Sequence, residues 1–383
     1  MIDSWDIMMT RNCNLRCEWC FIKEHTSCPD PGEVDRNLAT FWWIIDYYKS
    51  CLGENTQPKG QWLEIGFFGG EPVCAWESVK ALVKARKKCG LKRIWFYMVS
   101  NLSLLTPEKA DWCRKHKIGI LASVDGCPEA IDFYRRTPAG GTVSDAVIRH
   151  ARYLLNIGWI KKARSTIAPD TVQWAHKSVR YLAEEVGFKE IHQIVAGGVN
   201  WTDEAIAELK RQTEMTTDWW VANMRQGRHY VLHYMQTMLE GIWNPIRPRH
   251  QCGAGRHHAA IDTDGTIYPC HRFTNSTTKP EYRLGNIHGG GISNRALQRL
   301  LATYHLAQYH KERCARCPAV NACYALCYSE AMEAGLGMFD AMPHFCKIQP
   351  FFYSEALRAH ALLTAERNEL YLKLYAPRQC RSV

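Results

Sequence analysis

Residues 5–20 read WDIMMTRNCNLRCEWC. A mostly apolar run, 5–9, leads into Cys13-Asn-Leu-Arg-Cys17-Glu-Trp19-Cys20, a C-x3-C-x2-C spacing. Short runs rich in aromatic and branched side chains predict buried strands. A loop leaving the C-terminal end of such a strand can turn three thiolates toward one point, and that face carries the active sites of parallel α/β barrels. Three thiolates on a cubane cluster leave one iron without a protein ligand, where a small molecule can chelate. Two other readings fit the same spacing: a zinc knuckle completed by a distant ligand, and plain buried thiols.

Outward from this stretch, strand-like runs recur at residues 62–68, 93–100, 118–125, 162–167 and 190–196. Helical patterns at 36–50, 76–89, 107–116, 142–157 and 171–186 separate them. Thr106-Pro107 marks a helix start, and Cys89-Gly90 and Ile157-Gly158 mark ends. Six βα units in series predict a parallel sheet with right-handed crossovers, an open or partial barrel. A complete eightfold barrel would need about 250 residues and two more units, which are not found. After residue 202 the strand signal stops. Residues 202–225 and 227–242 read as two helices, and Asn244-Pro245 and Arg247-Pro248 then break the chain. From Cys252 the texture is loop-rich, with short strand candidates at 258–262 and 266–269, and a last helix covers 351–371. The expected division is a barrel over 1–240, a cysteine-rich domain over 241–350, and a C-terminal helix and tail over 351–383.

Composition narrows the class. With 383 residues, 46% hydrophobic and 22% charged, 26 Gly and 16 Pro, the chain is neither disordered nor fibrous. No apolar run reaches the roughly 18–20 residues that span a bilayer, and the first residues lack a secretory signal. A cytoplasmic protein with no membrane partner is expected. Seventeen cysteines in such a compartment exclude a disulfide framework and point to metal or redox chemistry. The net charge of +10 is dispersed, whereas a nucleic-acid-binding protein would cluster its Lys and Arg with exposed aromatics. No nucleic-acid partner is expected.

The second strand run ends in Phe67-Phe68-Gly69-Gly70-Glu71-Pro72. Two glycines let a ligand approach the backbone, and Glu71 offers an acceptor for an ammonium group. Cysteine loop and GGEP turn together resemble the radical S-adenosylmethionine (radical SAM) superfamily, with Trp19 as the aromatic before the third cysteine. The resemblance implies a partial (β/α)6 barrel and a 4Fe–4S cluster on Cys13, Cys17 and Cys20, with SAM chelating the fourth iron. It places Phe21, Gly69, Gly70 and Glu71 at the SAM site, Glu71 and the adjacent backbone holding the methionyl ammonium. Ser123-Val-Asp125-Gly126 matches the family's S-x-D-G segment, which makes Ser123 a SAM contact. Arg135 takes the position of an arginine that pairs with the SAM carboxylate, although Ile131-Asp132 replaces the usual His-Asp before it. Asn101, just after the third strand run, is a further candidate.

The C-terminal third contains Cys252-x12-Gly265-x4-Cys270, then Cys314-x2-Cys317-x5-Cys323-x3-Cys327, and finally Cys346. A two-site zinc ribbon would use such a set as well. Every spacing, however, resembles the SPASM domain of radical SAM enzymes. That resemblance implies two auxiliary 4Fe–4S clusters, one on Cys314, Cys317, Cys323 and Cys346, the other on Cys252, Cys270 and Cys327. The second set is one ligand short. His258 stands where sulfatase-maturing members have a cysteine, so either His258 is the fourth ligand or that iron is open to substrate. Cys28, Cys51, Cys74, Cys89, Cys113, Cys127 and Cys380 remain. They read as reduced core thiols, with Cys28 and Cys127 near the expected SAM face.

The resemblance implies reductive cleavage of SAM to a 5′-deoxyadenosyl radical and oxidation of a peptide or protein side chain, the auxiliary clusters accepting the second electron. Cys270-His271-Arg272-Phe273 and Leu284-Gly285-Asn286-Ile287 resemble peptide-maturing members, which makes cross-link formation in a ribosomally made precursor peptide the leading expectation. Sulfatase maturation to formylglycine is the alternative. Those enzymes carry an Asp base directly after the equivalent of Cys270, and here His271 is the candidate catalytic base. The first strand begins almost at Met1, so a separate leader-recognition protein or direct binding of a short substrate is expected. An electron donor such as flavodoxin or ferredoxin is the other partner.

Overall fold

The computed structural model describes residues 1–26, 30–53, 57–243, 252–275, 278–302, 312–323, 327–337 and 340–375. The chain separates into two compact units that interleave along the sequence. The first comprises Met1–Ser123, Tyr134–Ile160 and Gly253–Tyr304; the second comprises Val124–Phe133, Lys161–Cys252 and His305–Val383.

In the first unit, β1 (Ser4–Thr10), β2 (Leu63–Gly69), β3 (Ile94–Ser100) and β4 (Ile118–Ser123) lie side by side in chain order and parallel. Each lies within two residues of the boundaries read in the sequence, because apolar runs and turn residues delimit it on both sides. Along β3 the pleat alternates: Ile94, Phe96, Met98 and Ser100 are buried, while Trp95 is exposed. One layer of helices covers the buried side. Helix α1 (Glu33–Leu52) buries Asn37, Thr40, Phe41, Ile44, Ile45 and Tyr48, the i, i+3, i+4 stripe of an amphipathic helix. Asn37 donates to the carbonyl of Met9 (2.9 Å), tying α1 to β1.

The sheet does not stop at β1. On its other side β1 pairs in parallel with a strand from the cysteine-rich region, residues His258–Ile261, with Ser4 opposite His258 and Asp6 opposite Ala260. Strands Thr266–Tyr268 and Gly285–Asn286 then continue antiparallel. The compact units therefore do not follow a linear division at residues 240 and 350.

The second unit holds the parallel strands β5 (Lys162–Ile167) and β6 (Glu190–Val195), with the two-residue strand Val231–Leu232 beside β6. The segment 171–186, expected as one helix, is a 3-10 turn (Pro169–Trp174), an α-helical turn (Ala175–Arg180) and a π turn (Tyr181–Val186) closed by Gly187 at φ 105°. Helix Asp203–Arg225 starts on the Thr202 cap, whose hydroxyl accepts from Ala205 N–H (3.2 Å). It packs against the C-terminal helix Pro343–Ala365, which begins earlier than the sequence suggested and carries Cys346 in its first turn. Among the described residues no helix is long and apolar enough to cross a membrane.

Candidate functional site

The cysteine loop leaves the C-terminal end of β1, as its position in the sequence predicts. Its path is set by backbone bonds: Gly70 N–H donates to Thr10 O (2.8 Å), Glu71 N–H to Asn12 O (2.9 Å) and Arg16 N–H to Arg136 O (2.8 Å). This contact gives both glycines a steric reason of their own. Gly69 has φ 136°, and a Cβ there would run into the Thr10 carbonyl, while one on Gly70 would run into that of Asn12. Glu71 is 1% exposed. Its carboxylate accepts from Ser100 Oγ (2.8 Å), Asn101 N–H (2.7 Å) and Val73 N–H (3.2 Å), so it is spent on joining β2 to the end of β3. Burial nevertheless pushes its pKa up. Asn101 is more than a turn former: its Nδ2 donates to Asn14 Oδ1 (3.2 Å), and Ser103 Oγ donates to its Oδ1 (2.6 Å).

Cys13 is buried, Cys17 and Cys20 half-buried. Burial pushes the Cys13 thiol up to about 12, with Glu71, Cys17 and Cys20 adding to the cost of a further negative charge. Cys20 is also raised by burial, against the pull of Lys23, Arg135 and Arg272. Arg135 is 4% exposed, and its guanidinium lies over the Trp19 ring at 5.1 Å. Ser123 closes β4, half-buried. Phe21 lies 5.7 Å from the His271 ring, and the Arg272 guanidinium sits over it at 5.7 Å. The segment after Cys270 thus meets the segment after Cys20. A buried ion pair adds to this clamp: Arg11 donates to Asp262 (2.6 Å) and to the Thr274 carbonyl (3.0 Å).

His258 contacts β1 through both ring nitrogens. Its Nε2 lies 2.8 Å from Asp6 Oδ2 and its Nδ1 3.0 Å from Ser4 Oγ, so both ring nitrogens already have partners on β1. The two readings of the three-cysteine set Cys252, Cys270 and Cys327, His258 as fourth ligand or an iron open to another donor, both stand beside these contacts. His271 meets the same carboxylate oxygen through Nδ1 at 2.7 Å and stacks on Phe68 at 4.2 Å. Asp6 and Tyr97, which donates to Asp6 Oδ1 at 2.7 Å, were missed as site residues. The signal was present: an aspartate inside an apolar strand has to find partners when buried. Burial alone would raise the Asp6 pKa, but the two imidazoles outweigh it and hold the carboxyl well below its usual range.

The second unit holds Cys252, Cys314, Cys317, Cys323 and Cys327, all half-buried, and the exposed Cys346. Cys317 N–H donates to Cys314 O (3.1 Å), the tight turn a C-x2-C pair needs. The Cys252 thiol donates to Tyr328 Oη (3.3 Å), next to Cys327. Cys270 belongs to the first unit. Cys127 is a core thiol against Ser178 (3.5 Å). Cys28 and Cys380 lie outside the described residues.

Donor chemistry separates a cluster from a single ion. Thiolate sulfurs around tetrahedral zinc stand about 3.8 Å apart. Among the described residues, Asp6, His258 and His271 are the one trio whose ligand atoms all lie within 4.8 Å of one another, and no trio of thiols does so. The loop thiols are electrostatic neighbours, Cys17 and Cys20 both acting on Cys13.

Comparison with known proteins agrees. Residues 252–318 match the SPASM model, described as an iron–sulfur cluster-binding domain. The radical SAM cyclopropyl synthase TigE of Paramaledivibacter caminithermalis is 22% identical over 194 residues, 50% of this chain but only 40% of TigE. A serine-type anaerobic sulfatase-maturating enzyme of Bacteroides thetaiotaomicron is 22% identical over 88% of this chain and 84% of its own. Among solved structures, native anSMEcpe with bound AdoMet superposes with a TM-score of 0.72 at 18% identity, covering 95% of this chain and 99% of that one. Streptococcus suis SuiB bound to precursor peptide SuiA gives 0.59 at 16% identity, over 90% and 76%. Residues 252–318 thus carry a SPASM iron–sulfur cluster-binding domain, and the chain is similar to radical SAM enzymes, a likeness that supports S-adenosylmethionine and 4Fe–4S clusters as its cofactors.

Proposed function

We propose that this enzyme cleaves SAM reductively and oxidises a side chain of a ribosomally made precursor peptide, forming a cross-link. The observation that carries this reading is the meeting of Phe21 and His271 at 5.7 Å. Each follows directly after a cysteine that the resemblance assigns to a different cluster. When bound, the SAM-ligating cluster supplies hydrogen-atom abstraction from an unactivated C–H bond, and the auxiliary clusters supply an electron sink.

The chain's own residues do the rest. Cys13, Cys17 and Cys20 hold the SAM-binding cluster, Cys314, Cys317, Cys323 and Cys346 one auxiliary cluster, and Cys252, Cys270 and Cys327 the other. Gly69, Gly70, Glu71 and Asn101 hold the shape of the SAM pocket, and Phe21, Ser123 and Arg135 line it. Phe21 and Phe68 shield the reacting region from water. His271, oriented through Nδ1 by Asp6, takes the proton released by the substrate at Nε2.

A second reading, maturation of a sulfatase Cys or Ser to formylglycine, draws support from the longer alignment with the sulfatase-maturating enzyme. Reduced holoprotein incubated with SAM and candidate peptides tests both. The expected outcome is 5′-deoxyadenosine together with a peptide lighter by two hydrogens whose linkage survives thiol alkylation. Formylglycine on a sulfatase peptide instead would favour the second reading, and undiminished 5′-deoxyadenosine from Cys17→Ala would overturn both.

A further inference from the structure

We propose that Asp6, His258 and His271 form a mononuclear site for a first-row divalent cation, separate from every cluster. Asp6 Oδ2, His258 Nε2 and His271 Nδ1 lie within 4.8 Å of one another, and the two contacts to the carboxylate oxygen are 2.8 and 2.7 Å. Ligands about 2.1 Å from a metal and at right angles to one another stand about 3 Å apart, close to these spacings. Two imidazoles and one carboxylate are a donor set suited to Mn(II), Fe(II) or Zn(II), and its hardness distinguishes it from the thiols that take iron–sulfur clusters.

Each donor is aimed by a second contact, as metal ligands commonly are. Ser4 Oγ meets the other nitrogen of His258 (3.0 Å), and Tyr97 Oη donates to the other oxygen of Asp6 (2.7 Å). Phe68 stacks on His271 with an interplanar angle of 19°. Gly66, in register with both Asp6 and Tyr97, makes the Tyr97 contact possible, since a Cβ there would run into both side chains. The three donors come from β1, the strand His258–Ile261 and the turn after Cys270, all within the first compact unit. The Asp6 side chain is 1% exposed, whereas the His258 and His271 side chains are 20% and 23% exposed. A buried carboxylate needs a cation beside it, and the half-open imidazole side gives one a way in.

The site does not rest on the peptide-modifying reading. A cation on Nδ1 of His271 leaves a hydrogen on Nε2, so it replaces proton uptake by that ring rather than assisting it. The test is therefore a binding measurement. Anaerobic holoprotein with its clusters oxidised is titrated with Mn(II), and the free ion is read from its six-line EPR spectrum. One Mn(II) per chain is expected to be held. Asp6→Asn and His258→Ala should each weaken binding at least about tenfold and Ser4→Ala less, with iron content and melting temperature checked for each variant. Wild-type protein that holds no Mn(II) would overturn the proposal, leaving the trio as a hydrogen-bonded network. Equal binding by the folded variants would overturn it too, by placing the ion elsewhere.

Discussion

Gly70 shows how little room lies between the Gly69–Pro72 turn and the cysteine loop at the level of one atom. A methyl group there meets the Asn12 carbonyl, backbone that cannot rotate away. Gly70→Ala should therefore cost about 1–3 kcal/mol and distort the cysteine loop. The expected result is a lower melting temperature, selective loss of the loop cluster's iron and weaker SAM binding, measured by calorimetry, iron assay and equilibrium dialysis. The glycine pair was legible in the sequence, but its physical reason was not, because the crowding comes from residues 10–12 across the sheet. Asp6 was less legible still. It sits inside the run 5–9, and its partners Tyr97 and His271 are 91 and 265 residues away. Only the folded sheet brings them together.

Elements were read more faithfully than single residues. β1 to β6 appear where apolar runs lie between turn formers, since strand burial leaves its mark locally. The helix expected over 227–242 begins only at His233, because Val231 is drawn into pairing beside β6 through a bond from its N–H to Lys189 O (2.8 Å). That junction brings His192 of β6 and His233 to 3.7 Å between ring centroids. Burial, then the neighbouring His233, depresses the His192 pKa from 6.5 to about 3. The folded state therefore disfavours the protonated ring, and the unfolded chain binds more protons below pH 6.5. Stability should fall as pH drops from 6.5 toward 3. His192→Gln should flatten that dependence in urea titrations run across the window, and an unchanged slope would show that other groups dominate acid unfolding.

At the scale of the whole molecule, the ten motif cysteines imply three clusters and about twelve irons per chain. Changing Cys13, Cys17 and Cys20 together to Ala should remove about four irons and leave eight, read by iron and labile-sulfide assay on anaerobically reconstituted protein. Stoichiometric zinc without sulfide would contradict the assignment. The motif spacings carry this expectation, because cysteine ligands are chosen by local turns. They did not carry the interleaving of the two units. That depends on the strand from His258 to Ile261 joining β1, a pairing with no local mark in either segment.

The clamp on the cysteine loop has one more consequence. Gly70, Glu71, Arg16 and Arg11 hold that loop through backbone and carboxylate contacts that involve none of its three sulfurs. Oxygen attack that strips the iron would leave the cradle standing, its sulfurs still presented from the same backbone. Such damage is open to repair by fresh iron, sulfide and reductant, without unfolding or resynthesis of the chain.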